Sequence, residues 1–141
     1  MPTQIPVAVP LLHRLLGIGM VAVAVAFVGI GLVLGPLLGE PDEASNLVGY
    51  AMGGFALLEG IVALMFMKPR VPERRPGQSV DAYWSDQNIA SRVHTVWFMV
   101  VGAGILSTVG FALTGHLLPA ITMCLAIVVF WMNGPNVFAK P

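Results

Sequence analysis

Residues 47–67 read LVGYAMGGFALLEGIVALMFM, an unbroken apolar run with a single acid, Glu59, set deep inside it. About 20 residues of this kind cross the hydrocarbon of a bilayer as an α-helix. The rest of the chain has the same character: 57% of the 141 residues are hydrophobic, 10% are charged, and the mean hydropathy is +0.84. A soluble domain carries nearer a quarter charged residues, so lipid is the expected solvent. An ionised carboxylate in hydrocarbon costs about 2.5 to 3.5 kcal/mol on insertion scales. Glu59 is therefore expected to meet a partner, to carry a proton, or to face protein.

Three further apolar stretches flank this one: Leu11 to Leu34, Val93 to Leu113 and Leu117 to Met132. The expected fold is a single all-α integral membrane domain over residues 1–141, with four transmembrane helices in an up-and-down bundle. The fourth span is short and needs tilt, thinning or help from its neighbours. The first is longer than the apolar core of a signal peptide and is read as a retained span. Lys68, Arg70, Arg74, Arg75 and Arg92 lie between spans two and three, whereas Glu40, Asp42 and Glu43 lie between spans one and two. By the positive-inside rule the 68–92 loop and both termini are cytoplasmic, and a bacterial inner membrane is the expected location. Short links at Gly35 to Ser45 and Thr114 to Pro119 are expected to make consecutive helices antiparallel neighbours.

The 68–92 loop divides in two. Pro69, Pro72 and Pro76 suggest an extended linker in its first half. From Ser79 onward, Ser79 or Ser85 as a cap and Asp81 or Asp86 in a first turn predict that the third helix begins outside the membrane. Tyr83 and Trp84 would then sit at headgroup level as interfacial anchors.

Small residues four apart mark close helix approach. In the second span Gly49, Gly53, Ala56 and Gly60 share one face at 100° per residue, and Glu59 lies beside that face. Ala22 with Ala26, Gly31 with Gly35, and Ala103 with Ser107 repeat the spacing.

The stretch from Phe55 to Leu64 around Glu59, with Ala22, Ala24, Ala26, Gly29 and Gly31 in the preceding span, resembles the first hairpin of the rotor-ring c-subunit of rotary ATP synthases. The resemblance implies an ion- or proton-binding role for Glu59. It departs from that family at the loop, where Gly39-Glu-Pro-Asp-Glu43 replaces a polar, basic connection. Over the whole chain, the pattern of His13-Arg14, a basic loop, an aromatic approach to span three and a short last span resembles small uncharacterised bacterial four-helix membrane proteins, which implies no activity.

Among cofactors, none is required by the sequence. His13 and His94 stand at the entries of two helices and are the candidate axial ligands should haem b be held between them; His116 reads as a loop residue. Asp42 and Glu43 read as a solvated loop, because hard cations want several converging oxygens, and Cys124, the single cysteine, reads as a core thiol. Zero net charge leaves no basic field for nucleic acid. No phosphate loop, metalloprotease helix or activated nucleophile is present. The expected role is therefore non-enzymatic: an accessory subunit, surrounded by lipids and by other integral subunits, of a bacterial membrane complex of the bioenergetic kind. The alternative is a proton- or ion-handling protein built on Glu59. The topology has a direct check. A cysteine placed at Gln78 is expected to react with impermeant reagent from the cytoplasmic side only, and labelling from outside would overturn the orientation.

Overall fold

The computed structural model describes residues 5–140, and every regular element among them is helical. In chain order these are α1 (Ala8–Leu34), α2 (Glu43–Ile61), α3 (Val80–Trp84), α4 (Gln87–Thr114), α5 (Leu117–Met132) and α6 (Pro135–Phe138). α2 runs on without a break through wider π-type turns at Val62–Met67 and a 3-10 turn at Lys68–Arg70. Three helical stretches are long and apolar enough to cross a membrane: Ala8–Leu34, Glu43–Arg70 and Gln87–Thr114, of 27, 28 and 28 residues. α5, with 16 residues, reaches only about 24 Å at 1.5 Å per residue.

The helix starts are set by short polar side chains. Asp42 and Ser45 form a reciprocal capping box: the Asp42 carboxylate accepts from Ser45 N at 2.7 Å, and Ser45 Oγ accepts from Asp42 N at 2.9 Å. Those bonds favour the ionised form and hold the Asp42 carboxyl below its ordinary pKa. Asp86 caps α4 by accepting from Asn88 N and Ile89 N, and Ser79 caps α3 through Ala82 N. The predicted single third helix is thus two, because Asp86 takes extended backbone between them.

At its far end α4 stops at Gly115, whose φ of 64° suits a glycine. The carbonyls left open there are filled by the link between α1 and α2: Leu37 N donates to Ala112 O at 3.0 Å and Leu38 N to Leu113 O at 2.9 Å. This docking carries the link over α4. As a result α1 packs on α4 and more lightly on α5, and does not neighbour α2. The expected adjacency of α1 and α2 is corrected accordingly, although the alternating directions hold. His13 lies by Phe130 and Trp97 at one end, Gly31 faces Phe111 toward the other, and Gly49 meets His116.

α4 is the spine, touching α1, α2 and α5 at once. Close approach depends on missing side chains. A methyl group on Gly104 would lie 2.5 Å from the Met20 sulfur, one on Gly53 2.8 Å from Leu118 Cγ, and one on Gly49 2.6 Å from His116 Cβ. Ala56 is fully buried in the same seam. Gly60 differs from the expected packing role, since nothing stands within 4 Å of where its side chain would be.

The basic end of the bundle carries a folded cap. Tyr83 and Trp84, expected as interfacial anchors, are buried with Val71, Ile89, Trp97 and Phe138. Tyr83 Oη donates to Pro72 O at 2.9 Å, and burial raises its pKa. Nor is the proline-rich half a free linker. Arg74 Nε donates to Ala139 O at 2.9 Å, Arg74 Nη1 to Gln78 O at 2.7 Å, and Arg92 Nη1 to Arg70 O at 2.8 Å, so the segment is tied to α4 and to the residues after α6. If glycine contacts set the spacing, Gly104→Leu should lower unfolding stability in detergent by about 1 to 3 kcal/mol through overpacking. Gly19→Leu, at an open position, should stay within about 0.5 kcal/mol of the parent; equal effects would contradict the packing scheme.

Candidate functional site

Two polar centres interrupt the apolar bundle. The first is Glu59, near the end of α2 and half-buried at the seam with α4. Its Oε1 lies 2.9 Å from where a Cβ of Gly102 would stand, so the carboxyl rests against the bare backbone of α4 at that glycine. Among the described residues no hydrogen bond or ion pair reaches it. The hydroxyls of Ser107, Thr108 and Thr122 on α4 and α5 do not bond to it. Thr108 Oγ1 donates to Gly104 O at 2.8 Å and Thr122 Oγ1 to Leu118 O at 2.9 Å, both back onto their own helices, while Ser107 Oγ is buried without a partner. Glu59 can therefore hold a proton or accept a donor from outside the chain.

The second centre lies at the basic end and was largely missed in the sequence. Asn133 closes α5. Its Nδ2 donates to Val129 O at 2.7 Å, its Oδ1 accepts from Lys68 Nζ at 2.6 Å, and its main-chain carbonyl accepts from Trp97 Nε1 at 2.8 Å. One residue thus joins the ends of the α2 and α5 stretches to the start of α4. The only signal for it was an amide just before Gly134-Pro135, where a helix ends and its carbonyls need donors.

His13 belongs to the same cluster. Its Nε2 lies 3.1 Å from Phe130 O, and since a carbonyl can only accept, Nε2 carries the proton. The ring stacks on Phe130 with centroids 4.4 Å apart and planes 5° from parallel, and it meets Trp97 at 4.8 Å and Trp131 at 5.6 Å. His94 reaches the same Trp97 at 5.7 Å, with its Nε2 buried and unpartnered. The two histidines do come together, on one fully buried indole. They do not fit a haem: the His13 nitrogen that would bind iron is committed as a donor, and Trp97 packs against both rings.

The remaining candidates separate. Gly49, Gly53 and Ala56 line the α2 seam, and Gly60 opens outward. His116 caps α5 by accepting from Leu118 N at 3.2 Å and lies against Tyr50, with ring centroids 4.3 Å apart. Cys124, expected in the core, is exposed on α5. Among the described residues no three His, Cys, Asp or Glu side chains converge as metal ligands.

Comparison with family models, curated proteins and solved structures gave no match to this chain. Asn133→Ala should cost about 1 to 3 kcal/mol, because it removes one bond to a cation and one to a buried carbonyl, and it should expose the basic end to faster amide exchange. Unchanged stability and exchange would show that the junction is not structural.

Proposed function

We propose that this chain is a non-catalytic membrane subunit that docks against another integral protein through the outer face of α1. One observation carries the reading. Gly19, Ala22, Ala26 and Gly29 are all exposed, and at 100° per residue they fall within about 80° of one another, a strip of small side chains along one side of the helix. Nothing stands within 4 Å of where side chains on Gly19 and Gly29 would be. The bundle's own seams use other glycines, at 17, 49, 53, 102, 104 and 110. Association in lipid rests on close van der Waals approach of this kind.

The topology proposed with it has α5 as a fourth, short span, and the basic end, with both termini, on the cytoplasmic side of a bacterial inner membrane. The large apolar side chains left outside, Leu32, Val33, Val25, Phe55 and Met65 among them, suit a hydrocarbon surround.

A second reading rests on Glu59, whose carboxyl at the α2–α4 seam lacks a donor within the described chain. In that reading it exchanges protons for the assembly. The two are separable by gentle purification from native membranes. Paired replacement Gly19→Leu with Ala22→Leu is expected to release copurifying subunits while the bundle stays folded; a monodisperse monomer in the parent, or undiminished association in the variant, would contradict docking through α1. Glu59→Gln that preserves assembly and abolishes turnover of the host would support proton exchange, and a variant normal in both would remove it.

A further inference from the structure

At the basic end, Lys68, Pro69, Val71, Pro72, Glu73, Val137, Phe138, Lys140 and Leu64 enclose a cleft of about 420 Å³. Beneath it, an almost wholly apolar groove of about 280 Å³ runs between the α2 stretch and α5, over Ala56, Gly60, Leu64, Met65, Leu125 and Val129. Leu64 lines both, so the two spaces adjoin. Lys68 follows Leu64 by four residues, which places its ammonium group about one turn beyond the apolar wall on the α2 side, and its acceptor Asn133 follows Val129 by four on the α5 side.

The groove exists because side chains are small or absent: Gly60 opens onto free space and Ala56 is fully buried at its floor. The rim is charged. Lys68 Nζ spends one bond on Asn133 Oδ1 at 2.6 Å and keeps further donors, and Lys140 is exposed. Glu73 shares the rim, so two ammonium groups face one carboxylate. A positive mouth that shares the Leu64 wall with a dry groove suits an anionic amphiphile.

We infer that this cleft and groove bind one anionic glycerophospholipid, with its phosphate at Lys68 and Lys140 and an acyl chain lying along Gly60 and Leu64 between α2 and α5. Basic pockets between membrane helices take anionic headgroups in this way. A soluble phosphate would use the rim alone and leave the groove empty. The site is separate from the α1 strip and does not depend on it.

The test is lipid retention by native mass spectrometry of the delipidated full chain in mild detergent, with phosphatidylglycerol or phosphatidylcholine of matched acyl chains added back. Phosphatidylglycerol is expected to be retained preferentially. Lys140→Gln should weaken that preference about fivefold and leave phosphatidylcholine unchanged. Gly60→Leu fills the groove and should reduce retention of both lipids; Leu125→Trp, from the opposite wall, should do the same, and thermal unfolding identifies which of these variants is folded. Equal retention of the two lipids by the parent, or a folded groove-filling variant that retains lipid normally, would overturn the site. Displacement of the lipid by an equal concentration of glycerol 3-phosphate would also overturn it, by showing an anion site without the groove.

Discussion

Everything in this fold depends on how closely three helices can approach α4. Between apolar helices in an apolar solvent there is little hydrophobic force to gather them, so contact distance decides stability. α4 meets that demand with Gly102, Ala103, Gly104, Ser107 and Gly110 along its buried faces, and its neighbours meet it with Met20, Ala56 and Pro119. Half of its most apolar stretch is buried, against 17% for α1 and 22% for the α2 stretch. α4 is therefore the interior helix, and the other three have most of their surface free for lipid or protein.

The ends of the bundle finish what the glycines begin. At the acidic end the main chain of the α1–α2 link fills the carbonyls of α4, and at the basic end Asn133 gathers Trp97 and Lys68 while His13 fills the carbonyl of Phe130. Trp84 Nε1 and His94 Nε2, buried at the basic end, stay without a partner among the described residues, whereas the bonded groups fill carbonyls left open at helix ends. Glu59 stands apart from them. Its lack of a partner among the described residues is what distinguishes it from a structural acid.

Helix existence was legible in the sequence because run length alone reveals it: all four apolar stretches became helices close to their expected bounds. Facing was only partly legible. In a chain that is apolar all round, leucine and valine suit both lipid and core, so periodicity does not say which side is inside. Small residues carried that information, correctly at Gly49, Gly53 and Ala56, but the same spacing included Gly60, which faces a groove. The pairing of α1 with α4 depended on backbone bonds from Leu37 and Leu38, and main-chain partners leave no mark on residue type. Tyr83 and Trp84 misled for a related reason: their amphipathic rings suit a membrane interface as well as the small core formed when Asp86 breaks the helix and Pro72 returns beneath them. Asn133, the hub of the basic end, stood in sequence as one amide before a glycine and a proline.

The outer surfaces divide by chemistry. α1 offers small side chains on which another helix can lie close, the α2–α5 groove offers an apolar channel beneath a positive rim, and α4, the most buried of the long helices, is exposed mainly at its polar start and at Phe98 and Ile105. The central claim is that the α1 strip is covered by another protein. The most direct measurement is photo-crosslinking in intact native membranes from a reactive side chain at Ala22, with the same group at Leu32, exposed near the far end of α1 and about 80° around the helix from Ala22, as reference. A discrete protein adduct is expected from position 22 and a weak or missing one from position 32. Adducts to lipid alone from position 22 would contradict it.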